Sequence, residues 1–133
     1  MARLLCVAPS MVPEIWPYAG PMIRRATKRG GGDFDRTETE VLAGLQLLWI
    51  VSDDGALQAA ATTQLVKDGQ GKTCIIVACS GRQSERWLPL ISGIEDYAKA
   101  EGCKTMRVIG RKGWERVLDG YKAKYVTLEK EII

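Results

Sequence analysis

The residues best suited to chemistry in this 133-residue chain form the stretch Cys79-Ser80-Gly81-Arg82-Gln83-Ser84-Glu85-Arg86. An apolar, β-branched run, Ile75-Ile76-Val77-Ala78, precedes it and predicts a buried strand over residues 73–79. After it, Trp87, Leu90, Ile91, Ile94, Tyr97 and Ala98 recur at helical spacing, and Gly102 stands where such a helix would stop. Ser80 and Gln83 have the spacing of a capping box, which predicts a helix beginning at Gly81. A strand that runs straight into a helix presents unpaired N–H groups beside the positive end of the helix dipole. That arrangement binds phosphate. Arg82 and Arg86 add guanidinium groups that pair with phosphate oxygens, while Glu85 adds a like charge. The plainer alternative is a capped helix start with solvated arginines.

The chain contains no histidine. That excludes Ser-His-Asp and Cys-His catalysis, histidine metal ligation and imidazole proton shuttling. Cys79, at the end of the strand, therefore lacks an activating base and reads more simply as a small buried hydrophobe. Tyr121 and Tyr125 are phenols near the C-terminal end, each also explained as a packed aromatic. The four cysteines fit no zinc spacing and suit a reduced, intracellular protein. A net charge of +3 is too small to argue for nucleic acid. Trp49, Trp87 and Trp114 do not form the basic-plus-aromatic pattern of a single-strand groove. Arg24, Arg25, Lys28 and Arg29 read as a solvated helix face, and Gly30-Gly31-Gly32 as a loop rather than a dinucleotide fingerprint.

One domain spanning 1–133 is expected. A short strand covers residues 3–8. A helical region follows from Pro13, which Pro17 and Pro21 are expected to kink or split. Thr37 and Glu40 form a second candidate capping box, opening a short helix to about Leu45. Strands at 46–52 and 57–66 flank the hairpin signal Asp53-Asp54-Gly55, and Asp68-Gly69-Gln70-Gly71 turns the chain into the strand at Lys72. These three strands should be antiparallel neighbours. The strand at 105–109 is reached through a helix and should lie parallel to strand 73–79. A short helix at 114–118 and an alternating strand at 125–131 close the chain. The result is an α+β fold, a mixed twisted sheet flanked by helices. No apolar run approaches membrane-spanning length, so a cytoplasmic protein is expected.

This order, with Ile15-Trp16-Pro17, Leu48-Trp49, Ala59-Ala60-Ala61-Thr62, Trp87, residues 98–103 and Gly110-Arg111-Lys112-Gly113-Trp114-Glu115-Arg116-Val117-Leu118, resembles the GNAT family of acyl-CoA N-acetyltransferases. Within that family it resembles the small acetyltransferase-like proteins of tailed phages and prophages. The resemblance implies a GNAT-like acyl-CoA N-acyltransferase fold and acetyl-CoA as acyl donor. It also implies that Val77, Ala78 and Cys79 would border the pantetheine arm. Gly81, Arg82, Gln83, Ser84, Glu85, Arg86 and Arg111 would surround the phosphates. The family's cradle motif is Arg/Gln-x-x-Gly-x-Gly/Ala. Aligning Arg82 on its first position puts Glu85 and Trp87 at the glycine positions; aligning Gly81 there puts Ser84 and Arg86. Where the family often carries a tyrosine acid, this chain has Arg116, leaving Tyr121 and Tyr125 as the nearby phenols. The implied activity is acyl transfer to an amine. The alternative is a phage structural or accessory protein that kept the fold, virion-associated and partnered by phage proteins or a second copy of itself.

Overall fold

The computed structural model describes residues 2–30, 32–82, 87–110, 114–125 and 128–132. Strand β1 (Ala2–Cys6) leads through a 3-10 turn into helix α1 (Val12–Gly30), which is followed by α2 (Phe34–Leu42). Strands β2 (Leu47–Asp53), β3 (Ala56–Asp68) and β4 (Gly71–Gly81) form the meander. A 3-10 turn (Leu88–Leu90) then opens α3 (Ile91–Ala100), and β5 (Thr105–Val108) and α4 (Trp114–Val117) follow. The five strands lie in the order β1-β2-β3-β4-β5. The first four are antiparallel neighbours, and β5 runs parallel to β4, as the crossover through α3 requires.

The local signals that hold are the ones with a backbone requirement. Asp54 and Gly55 take φ of 52° and 80°, the left-handed pair of a tight hairpin turn. Gly102 sits at φ 83°, and the N–H groups of Gly102 and Cys103 donate to the carbonyls of Lys99 and Ala98, closing α3 in a Schellman motif.

Four expectations are corrected. The capping box at Thr37 is not used: α2 starts earlier, with Asp33 as the cap accepting from the Arg36 N–H at 3.1 Å. Asp33 is the better cap because its carboxylate also faces the positive helix end. The helix α1 is continuous through Pro17 and Pro21. Both prolines, like Pro13, lie on its exposed stripe, so the carbonyls they leave without donors face water. Ser80 is not a cap, as described below. Residues 121–125 and 128–132 belong to no strand. Their alternation is a β signal, but a strand needs a neighbour. Tyr121 and Tyr125 are instead held on α3 and on Arg107, and a four-residue β5 offers little edge to pair with.

Apolar side chains fill both faces of the sheet. On one, Trp16, Ala19, Ile23 and Val41 of the α1–α2 pair pack on Leu48, Ile50, Ala60 and Ala78. On the other, Ile91, Ile94 and Ala98 of α3 pack with Trp87 on Trp49, Ala59, Ala61, Cys74 and Ile76. The alanine triplet of β3 thus lets both layers approach closely.

Candidate functional site

The site is built where β4 outlasts β5. The two strands pair from Thr73↔Thr105 to Ile76↔Val108, and the Ile109 N–H donates to the Ile76 carbonyl at 3.0 Å as the last rung. Beyond it, β4 continues to Gly81 with only β3 beside it among the described residues. At the parting point β4 carries an extra residue: Thr63 pairs with Ile76 and Thr62 with Ala78, so Val77 is the bulge. The bulge shifts the alternation. Cys74, Ile76 and Cys79 all pack on the α3 face, whereas Ala78 packs on the α1 face.

Backbone polarity follows from the phase of the ladder. The Arg82 N–H donates to the Gln58 carbonyl at 2.8 Å. Alternation then turns the peptide groups of Ser80 and Ala78 to β3, and those of Cys79 and Gly81 to the open side. Among the described residues no strand covers that edge. An edge of this kind takes an extended, amide-bearing ligand as an added strand.

Ser80 lies inside β4, opposite Ala60. The long partner β3 keeps the chain extended past Ser80, and this ladder outweighs a local cap. Trp87 is helical, and the Pro89-containing turn follows it. Gly81 is held tightly: a Cβ there would lie 2.6 Å from Ala59 Cβ, 2.7 Å from Trp87 Nε1 and 2.8 Å from the Gln58 carbonyl. Its missing side chain is thus taken up by β3 and Trp87. The Arg82 side chain is exposed. Gln83, Ser84, Glu85, Arg86 and Arg111 lie outside the described residues.

The two tyrosines are not brought together. The Tyr121 hydroxyl donates to Glu95 Oε2 of α3 at 2.6 Å. Burial, and then this contact with the carboxylate, raise its pKa above the ordinary tyrosine value, so it remains a neutral donor. Tyr125 is exposed, its ring 5.3 Å from the Arg107 guanidinium carbon. Burial pushes the Cys79 thiol up to about 12, so it is a thiol and not a thiolate at neutral pH. Cys74 rises to about 11, through burial first and Cys103 second. Arg24 stacks over the Phe34 ring at 4.1 Å, with the rest of the basic run exposed on α1. Among the described residues no cluster suits a metal ion, and no helix is long and apolar enough to cross a membrane.

Three features escape a sequence reading. One is the Val77 bulge, which sits in an unbroken apolar run. The second is Glu95, which pairs with Tyr121 across 26 positions of chain. The third is an indole pair under the open cleft. Trp87 lies against Gly81 at the end of β4, and Trp114 against Gly110 just past β5. Their ring centroids are 6.1 Å apart. Only the unexplained tryptophan at a glycine position of the cradle motif signals that third feature in the sequence.

Comparison with known proteins places this architecture. Among solved structures, an aminoglycoside N-acetyltransferase in complex with CoA superposes with a TM-score of 0.69 at 13% identity, over 98% of this chain and 95% of that one. A predicted acetyltransferase from Clostridium acetobutylicum, solved with acetyl-CoA, gives 0.62 at 13% identity, over 98% and 96%. The glucosamine-6-phosphate N-acetyltransferase from Arabidopsis thaliana gives 0.65 at 14% identity, over 100% and 99%. No family model and no curated protein matches the sequence. The chain has the GNAT acyl-CoA N-acyltransferase fold, a mixed sheet flanked by helices on both faces.

Proposed function

We propose that the chain binds an acyl-CoA along the free edge of β4 and transfers its acyl group directly to an amine. The observation that carries this is the bulge at Val77, after which the Cys79 and Gly81 peptide groups are left facing the open side of the sheet. Their N–H and C=O groups suit the amides of a pantetheine arm, which would lie along β4 as β5 does below Ile76. The Cys79 N–H, held on a rigid strand, is placed to stabilise an oxyanion developing at the thioester carbonyl. Structures of this fold carrying CoA and acetyl-CoA support the choice of ligand. Arg82, with Arg86, would contribute phosphate contacts through side chains, because no close pair of cradle glycines follows β4.

The residues present support direct transfer. Cys79 is too basic to form an acyl-enzyme at neutral pH, and no histidine is available to activate it. A neutral amine attacks the thioester carbon, the C–S bond breaks, the thiolate of CoA departs and the amine proton passes to water. Tyr121 keeps its proton on Glu95, and Tyr125 packs beside Arg107, so neither is a required acid.

A second reading has its own support. The glycine positions of the cradle carry Glu85 and Trp87 in one register and Ser84 and Arg86 in the other, which suits a phage-encoded accessory protein that kept the fold without the reaction. Calorimetry with acetyl-CoA, with turnover against a panel of amines and protein lysines, separates the two. Micromolar to millimolar binding with slow turnover is expected. Absence of both heat and thermal stabilisation at millimolar coenzyme would argue for the second reading.

A further inference from the structure

We infer that the exposed face of the last turns of α1 is a docking surface for an acidic peptide segment, and that it holds a protein substrate with its amine at the gap beside β4. The docking stands on α1 itself; the delivery of an amine rests on the acyl-CoA reading above.

The basic run is denser than the helix needs. Arg25, Lys28 and Arg29 are spaced i, i+3 and i+4 and are all exposed, so they share one patch of α1. Lys28 and Arg29 complement the negative end of the helix dipole, but like charges at this spacing repel one another. Among the described residues no carboxylate pairs with any of the three, and Arg36 of α2 pairs with Glu40 of its own helix at 3.6 Å. Arg24 lies over the Phe34 ring at 4.1 Å, so a fourth cation borders the patch on a fixed support. Toward the N-terminus the same helix face continues as Pro21 and Tyr18, and Tyr18 is 71% exposed. A cluster of cations beside an open aromatic ring fits a peptide that carries carboxylates and then an apolar side chain. A nucleic acid fits less well. The patch covers little more than one helical turn and the whole chain carries only +3, which suits a few carboxylates better than a phosphate backbone.

The patch also stands at the gap in the sheet. A Cβ on Gly30 would lie 3.3 Å from Gly110 Cα, and the adjoining Ile109 makes the last rung between β5 and β4. The end of α1 therefore meets the chain where the two strands part. From Arg25 to Gly30 is about 8 Å along the helix axis. An extended peptide covers that distance in two or three residues, at about 3.4 Å each. A substrate with its amine in the gap therefore carries its carboxylates from about the third residue onward.

Fluorescence anisotropy on the whole chain tests this with labelled peptides of one length and a free N-terminal amine. The third to sixth residues are glutamate, glutamine or lysine, and a labelled single-stranded oligonucleotide is the fourth probe. The glutamate peptide should bind about tenfold more tightly than the glutamine peptide, with an advantage that shrinks as salt rises. The triple variant Arg25→Glu, Lys28→Glu, Arg29→Glu should reverse the order and favour the lysine peptide, a gain that misfolding does not produce. Equal binding of the glutamate and glutamine peptides overturns the inference. So does tighter binding of the oligonucleotide, or a triple variant that keeps the glutamate preference. With acetyl-CoA present, the glutamate peptide should be acetylated at its N-terminal amine with a lower KM than the glutamine peptide. Acetylation of both with equal KM leaves the acyl-CoA reading standing and removes this inference. Selective binding of the glutamate peptide by a chain that binds no coenzyme removes the acyl-CoA reading and leaves the docking surface.

Discussion

At the scale of single residues, the cleft depends on atoms that are missing or uncharged. Gly81 is the clearest case. A methyl group there would meet the Gln58 carbonyl and Ala59 Cβ, both on β3, neither able to swing away. Gly81→Ala should cost about 1–3 kcal/mol in denaturant unfolding, more than the same change at Gly69, which has nothing within 4 Å. Cys79 makes a second prediction, through pH. Its folded pKa is raised by burial from an ordinary 9.0 to about 12. The folded state therefore holds this proton more tightly than the unfolded chain does. The resulting stability is complete below pH 9 and is lost as pH rises toward 12. Tyr121, also raised, loses its contribution above its ordinary 10.0. The unfolding midpoint should thus fall as pH rises through 9.0 and then 10.0, and Cys79→Ala should flatten that fall. An equal slope in the variant would show that the thiol is not the titrating group. The same variant should retain any acyl transfer, because direct attack needs no cysteine.

At the scale of elements, what could be read from the sequence depended on how local the cause was. Hairpin and helix-stop glycines were legible because a positive φ is a property of one residue. The two capping boxes were misleading because a cap competes with whatever else can hold the chain. Asp33, four residues before Thr37, starts α2 first, and Thr37 is left donating its hydroxyl back to the Asp33 carbonyl at 2.9 Å. Asp33→Ala should therefore cost about 1 kcal/mol. Thr37→Ala should not reproduce a cap loss, which would show as fraying of the first turn in amide exchange. At Ser80 the competitor is not local at all. Ser80 pairs with Ala60, and Arg82 with Gln58, so the ladder to β3 extends β4 through the residues that carry the capping pattern. Of the candidate site, the strand and its C-terminal cysteine were legible. The bulge at Val77 and the Tyr121–Glu95 pair were not, because each depends on a partner far along the chain.

At the scale of the whole molecule, the sheet has one parallel joint, and it is the shortest. β3 and β4 pair from Asp68↔Gly71 to Ala59↔Gly81, while β4 and β5 pair only over Thr73–Ile76. The strands β2, β3 and β4 are joined by tight turns. By contrast, β5 hangs between α3 and the segment carrying α4, fixed from the far side by Tyr121 on Glu95 and by the indole of Trp114 against Trp87. A short parallel joint without a hairpin is the place where sub-global opening costs least. Native-state amide exchange should therefore find Met106–Ile109 opening at lower free energy than Trp49–Ala61, with Leu118 and Tyr121 moving with them. Within β4 the exchange should alternate. Ala78, Ser80 and Arg82 amides, turned to β3, should be slow, and those of Cys79 and Gly81, on the open side, fast. An acyl-CoA lying along β4 should slow just those two and raise the opening free energy of β5, since it bridges both strands. Uniform protection along β4 in the free chain would mean that the edge is already covered, and the ligand-binding cleft would have to be sought elsewhere.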